Sequence, residues 1–243
     1  MLWECWGYVI LVFSAALFAV GGLVFSAVSV VLGLVLPVRI RHRVGRACIH
    51  YLFRFFLWVV RSMGGIRVDS AALEILNGAR PVIIAPNHLT LLDAIFVIAK
   101  VPNVVCIMKA KIWDNPVLGG GARLAGYIRN DAPGSMVRQA AEQLAQGRHL
   151  LVFPEGTRME RPPVNPFKGG FVLIAKRASV PVQTVFLEAS SPFLGKGWPL
   201  TEKPDFPLRY RLRLGERFTC PEHEGTKELV ARIEEYYRSQ LSP

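Results

Sequence analysis

Charge is missing from the start of this chain: no Asp, Glu, Lys or Arg occurs between Glu4 and Arg39. As one helix, Cys5 to Val38 would rise about 51 Å at about 1.5 Å per residue. A bilayer core of about 30 Å needs only about 20 residues. The stretch therefore forms either one overlong, tilted helix or two shorter helices in a hairpin, with Gly21-Gly22 as the turn. A cleaved signal peptide does not fit, because Met1-Leu2-Trp3-Glu4 carries no positive charge and the apolar run is far too long.

Acidic residues are also scarce, 18 against 29 Lys and Arg, for a net charge of +11. No nucleic-acid motif accompanies that charge. Arg39, Arg41, Arg43 and Arg46 follow the apolar stretch directly, so an anionic lipid surface is the expected partner and nucleic acid is not. By the positive-inside rule this flank, and the rest of the chain, faces the cytoplasm. The next apolar run, Ala47 to Val60, holds His50 and Arg54 and suits a helix lying in the interface.

Cysteine is limited to Cys5, Cys48, Cys106 and Cys220, without pairing or metal-ligand spacing, so no metal site is expected. The chain has no G-x-S-x-G elbow, which argues against a serine-nucleophile hydrolase.

What the chain does have is chemistry between apolar runs. Val82 to Ala85 has the β-branched content of a buried strand and delivers Pro86-Asn87-His88-Leu89-Thr90-Leu91-Leu92-Asp93. A helix is expected from near Thr90 through Lys100. His88 then sits at a strand-to-helix turn, where α/β proteins place their sites. An imidazole with a nearby carboxylate is a candidate general base, the carboxylate fixing its tautomer. A five-residue spacing does not stack two side chains on one helix face. His88 must therefore lie before the helix and fold back toward Asp93.

Alternating strands and helices from about 82 to 190 predict an α/β class with a mainly parallel central sheet flanked by helices, preceded by a membrane-embedded helical segment. Residues 1–63 read as anchoring helices and 64–243 as the α/β domain. Further strands are expected at 66–68, 104–108, 126–131, 149–153, 180–187 and 209–214. Helices are expected over 116–124, from Ser135 as N-cap to about Gln146, from Phe167 to about Ala178, and over 226–241. The loop from Ser190 to Pro207 offers Phe193, Trp198 and Phe206 to a membrane.

A second polar stretch, Pro154-Glu155-Gly156-Thr157-Arg158, follows another strand. Its backbone N–H groups, hydroxyl and guanidinium suit a phosphate. Glu155 is placed to bond a substrate hydroxyl or to hold Arg158.

These stretches together resemble the 1-acylglycerol-3-phosphate acyltransferase family, glycerolipid acyltransferases marked by N-H-x-x-x-x-D. Asn87-His88…Asp93 matches the first motif and Gly126-Tyr127-Ile128-Arg129 resembles the second. Phe153-Pro154-Glu155-Gly156-Thr157-Arg158 matches the third, and Val180-Pro181-Val182-Gln183-Thr184-Val185 resembles the fourth. Phe167-Lys168-Gly169-Gly170 is also family-like. Met159 and Gln183-Thr184 depart from the usual pattern and leave the acceptor open.

The resemblance implies direct transfer of a fatty acyl chain from acyl-CoA or acyl-carrier protein, as co-substrate, to the sn-2 hydroxyl of 1-acylglycerol-3-phosphate, without a cofactor. His88 would be the base and Asp93 its orienting carboxylate. Arg129 and Glu155 to Arg158 would hold the phosphate, with Asn87, Lys109, Lys111, Lys168 and Pro181 in support. It also favours the membrane hairpin. Another lysolipid acceptor, such as lyso-ornithine lipid, is the first alternative, and a catalytically silent lipid-binding protein the second. Donor, acyl-chain length and oligomeric state stay open.

Overall fold

Four runs are too apolar to face water on either side, and they form the middle of one sheet. They are β2 (Ile83–Pro86), β3 (Val104–Met108), β5 (His149–Leu151) and β6 (Val182–Ala189), buried along most or all of their length. Such continuous runs are the mark of strands covered on both faces. In the computed structural model, which describes residues 2–199, 201–221 and 223–241, β1 (Ile66–Asp69), β4 (Ile128–Arg129) and β7 (Leu208–Phe218) complete the sheet.

Among the described residues the strand order is β1-β7-β6-β2-β5-β3-β4. Every neighbouring pair is parallel except β6 with β7. The α/β class and mainly parallel sheet are therefore as expected. β2 lies mid-sheet, flanked by β5 and β6, so its C-terminal exit opens onto the centre of one edge.

The helices are α3 (Asp93–Lys100), α4 (Ala110–Trp113), α5 (Gly119–Ala125), α6 (Pro133–Ala145), α7 (Gly170–Ala178) and α8 (Thr226–Leu241). α6 starts at Pro133, whose ring fits the first helical position. Ser135 is therefore not the N-cap, and its hydroxyl donates back to the Ala132 carbonyl instead. From α8 the buried Tyr237 hydroxyl donates to the Ala85 carbonyl and accepts the Val185 N–H at 3.0 Å. It thereby ties β2 to β6 just before the functional turn.

The N-terminal stretch is one unbroken helix, α1 (Leu2–Val35), long and apolar enough to cross a membrane. The chain turns at Leu36-Pro37, not at Gly21-Gly22, and returns as α2 (Val38–Ser62). Gly22 serves close approach instead: a Cβ there would stand 2.3 Å from Val117 Cγ1. The glycines of α5 have the same use. A Cβ on Gly120 would lie 2.7 Å from Ser26 Cα, and one on Gly121 would lie 2.4 Å from the Phe25 ring. α1 is thus docked on the domain.

α2 is docked as well. Buried Arg46 donates to Asn103 Oδ1 at 2.9 Å and to the Ala125 carbonyl at 3.1 Å, and His50 Nδ1 pairs with the Ile98 carbonyl at 2.8 Å. Its other face leaves Tyr51, Leu52, Phe55 and Trp58 exposed. Of the loop aromatics expected at a membrane, Phe193 is buried and joins the core.

Candidate active site

β2 ends at Pro86, and Asn87 continues the sheet through its side chain. Its Nδ2 donates to the Leu187 carbonyl at 3.0 Å and its Oδ1 accepts the Leu187 N–H at 2.7 Å. The bidentate bond holds the chain extended for one more residue and presents His88 at the sheet edge.

The helix expected from Thr90 begins at Asp93. The intervening residues form a turn around the Asp93 carboxylate. Oδ2 accepts His88 Nδ1 at 2.9 Å, Leu89 N–H at 2.6 Å and Thr90 N–H at 2.8 Å, and Oδ1 accepts the Thr90 hydroxyl at 2.7 Å. Those backbone groups cannot also begin a helix. Asp93 is wholly buried at the positive end of α3, a place that favours a negative charge. With Nδ1 committed to Asp93, Nε2 of His88 has no hydrogen-bond partner among the described residues, and 19% of the side chain is exposed. Its ring lies against Phe153, centroids 4.0 Å apart and planes at 22°.

The main chain of His88 is held equally firmly. Its N–H donates to Glu155 Oε1 at 2.7 Å and its carbonyl accepts the Met159 N–H at 2.6 Å. Glu155 Oε2 accepts the Asn165 N–H at 2.8 Å. Glu155 is buried, each of its oxygens accepts a backbone N–H, and it makes no bond to Arg158 among the described residues. Burial pushes its carboxyl up to about 7, the N–H donors of Asn165 and His88 pull the other way, and the Asp93 charge adds a further push upward.

Next to this turn a group of cations converges. Lys109 follows β3, and its ammonium is held below the usual lysine range, first by burial, then by Lys168, Lys196 and Arg158 nearby. Gly156 takes a left-handed φ of +68°, which favours glycine, and a Cβ there would meet the end of the Lys168 side chain at 2.9 Å and push it aside. Arg158 Nη1 donates to the carbonyls of Leu194 and Gly195 at 2.7 and 2.8 Å, which draws the 190s loop over the site. Lys196 pairs with Glu160. The Thr157 hydroxyl has no protein partner among the described residues.

Other expected residues are not among these contacts. Arg129 is on the edge strand β4, three strands from β2 or about 14 Å at about 4.8 Å per strand. Its guanidinium meets Asp114 at 3.2 Å and Asp131 at 2.5 Å. Pro181 precedes β6 at the opposite end of the sheet, where its carbonyl accepts the Ile83 N–H at 3.0 Å. Lys111 is exposed on α4, outside the group of cations around Lys109. Sequence reasoning missed Thr90, Asn165 and Lys196. Thr90 carried a signal, a threonine three residues before an acidic helix start; the other two carried none.

An imidazole paired with a buried carboxylate, beside a group of cations, is the equipment of an enzyme that activates a hydroxyl on an anionic substrate. Comparison narrows the class. The Acyltransferase family model matches residues 67–188, half of the chain, and the chain belongs to that family. It is an O-acyltransferase. The 1-acyl-sn-glycerol-3-phosphate acyltransferase of Pseudomonas aeruginosa is 26% identical over 220 residues, 88% of this chain and 82% of that protein. The lyso-ornithine lipid O-acyltransferase of the same organism is 32% identical over 128 residues, 48% of this chain and 49% of that protein. The crystal structure of the 1-acyl-sn-glycerophosphate acyltransferase PlsC from Thermotoga maritima shares the fold, with a TM-score of 0.70 at 18% identity over 98% of this chain and 95% of that one.

Proposed function

We propose that this chain moves a fatty acyl group from an acyl thioester, carried by coenzyme A or acyl-carrier protein, to the sn-2 hydroxyl of 1-acylglycerol-3-phosphate. The observation that carries the reading is the His88–Asp93 pair at 2.9 Å beside the cations of Lys109, Lys168, Lys196 and Arg158. The pair handles a hydroxyl proton and the cations suit a phosphomonoester on the same molecule. The name of the Pseudomonas relative supports the same acceptor.

In this mechanism Nε2 of His88 takes the proton as the hydroxyl oxygen attacks the thioester carbonyl. Asp93 stabilises the imidazolium that forms. The tetrahedral oxyanion then collapses, the carbon–sulfur bond breaks, and the thiolate leaves with the proton from His88. No covalent acyl-enzyme is needed. α1 and the exposed face of α2 keep the site at the lipid surface, on the cytoplasmic side by the arginine-rich flank at residues 39–46.

A phosphate-free lysolipid acceptor is the alternative, favoured by the Arg158 bonds to the Leu194 and Gly195 carbonyls, which take up part of the guanidinium. Assay of the purified full chain with one acyl-CoA against 1-acylglycerol-3-phosphate, lyso-ornithine lipid and lysophosphatidylcholine decides. Transfer to the phosphomonoester well above the others is expected; activity confined to a phosphate-free acceptor overturns the assignment.

A further inference from the structure

Away from the catalytic turn, α2, α3 and β1 line an open cavity of about 250 Å³. Its walls include Arg54, Leu57, Trp58 and Arg61 of α2, Ser70 after β1, and Lys100 at the end of α3. Asp93 begins α3 and Lys100 ends it, about 10 Å apart at about 1.5 Å per residue, and none of His88, Asp93, Lys109, Arg158, Lys168 and Lys196 lines this cavity.

Three observations give the cavity a ligand class. Arg54 and Arg61 stand two helical turns apart on one face of α2, and neither guanidinium has a protein partner among the described residues. Lys100 is already paired with Glu74 at 2.5 Å, so the uncompensated charge belongs to the two arginines. The Ser70 hydroxyl makes no capping bond to the short helix that follows it and remains open as a neutral donor.

The surroundings identify the source of the anion. Tyr51, Phe55 and Trp58 form an exposed stripe on α2 next to the arginines, and Phe55 stacks on Trp58 with centroids 6.0 Å apart. α1 runs antiparallel beside this segment, with the Trp6 indole N–H on the Met63 carbonyl at 3.1 Å, and adds exposed Tyr8, Val12 and Phe13. Aromatic rings with a polar edge and arginines on an apolar stem both belong at the level of lipid headgroups. A cavity of this size takes a headgroup and not a whole lipid.

We propose that this cavity binds the headgroup of an anionic glycerophospholipid of the bilayer, a lipid that is neither substrate nor product. Its phosphate sits between Arg54 and Arg61, and its acyl chains run outward over Phe55 and Trp58. The lipid fixes how α2 rests on the membrane, independently of which acceptor the enzyme acylates.

Full-length protein in phosphatidylcholine nanodiscs tests this. A minor fraction of brominated phosphatidylglycerol is expected to quench tryptophan fluorescence more than the same fraction of brominated phosphatidylcholine. Arg54→Gln with Arg61→Gln is expected to reduce the difference to nothing, and Trp58→Phe to remove most of it. Arg39→Gln with Arg43→Gln, exposed arginines on the same helix outside the cavity, is expected to leave it in place. Equal quenching by the two lipids in the native protein, or a preference that survives Arg54→Gln/Arg61→Gln, overturns the proposal. Equal loss in the Arg39/Arg43 pair would mean diffuse surface charge, and complete displacement by inorganic phosphate a site for free anion; either refutes it.

Discussion

Glu155 and His88 are joined through the main chain: the carboxylate accepts the His88 N–H at 2.7 Å while the imidazole of the same residue bonds Asp93 at 2.9 Å. The proposed base is therefore held at both its ends by buried carboxylates, one setting its ring and one its backbone. The two have different work, and substitution separates them.

With His88 as the base, His88→Ala is expected to lower kcat by about 10²–10⁴-fold, the usual contribution of general base catalysis. The protein is expected to stay folded and membrane-bound, since the partly exposed ring stacks on Phe153 at the edge of the sheet and not in the core. Asp93→Asn lowers kcat comparably and also lowers the melting temperature, because an amide N–H₂ would face N–H donors of Leu89 and Thr90. Near-native turnover in His88→Ala would remove the base assignment.

Glu155→Gln leaves the imidazole untouched but offers one oxygen to two N–H donors. Its kcat is expected to fall about tenfold or more through misplacement of His88, with KM little changed. The pH dependence of stability moves too. Folded Glu155 holds its proton to about pH 7, whereas an unfolded glutamate ionises near about 4.3. The folded state binds more protons in that window, so this contribution is complete below the unfolded value and is lost as pH rises through about 7. Melting curves from about pH 5 to about pH 8 should show a fall in the native chain that Glu155→Gln lacks. Parallel curves would contradict it.

Lys109→Met and Lys168→Met should raise KM for a phosphomonoester acceptor about tenfold each, as expected for a lost charge-assisted hydrogen bond. Neither should affect a phosphate-free lysolipid as strongly. Arg129→Ala, three strands from the pair and engaged by Asp114 and Asp131, should change KM by less than either lysine variant. A larger effect at Arg129 would return it to the phosphate site.

Gly120→Val tests the docking of α1. The added carbon would meet the Ser26 backbone at 2.7 Å, where no side chain can swing aside. Overpacking of this kind costs about 1–3 kcal/mol. At about 2–4 °C per kcal/mol the loss is visible as a lowered melting temperature. Gly21→Val, with nothing within 4 Å, is the matching control.

Much of this architecture was legible because it is written in local patterns. Val104–Met108 and Thr226–Leu241 fall where apolar continuity and helical periodicity put them. The His88 turn was legible from a spacing that no helix face accommodates. What escaped depends on tertiary partners. The apolar N-terminal stretch gave no sign that Gly22 packs against Val117 and Ser26 against Gly120, so a glycine pair read as a turn. Phe193 looked like a membrane contact because its loop is rich in Gly and Pro, yet the Arg158 bonds to Leu194 and Gly195 hold that loop against the core. Glu155 was read for its charge, while its partners are main-chain N–H groups that any residue would supply.

The α1–α5 seam bears on kinetics as well as on stability. A domain tethered by a loose linker would meet its lipid substrate at every tilt, and most encounters would fail. Here Gly120 and Gly121 let the Ser26 backbone and the Phe25 ring of α1 pack directly on α5, so the angle between α1 and the domain is set when the chain folds. On the proposed function, with α1 held in the bilayer, an acceptor diffusing in the leaflet would have only two translations and one rotation left to search before its hydroxyl reached His88.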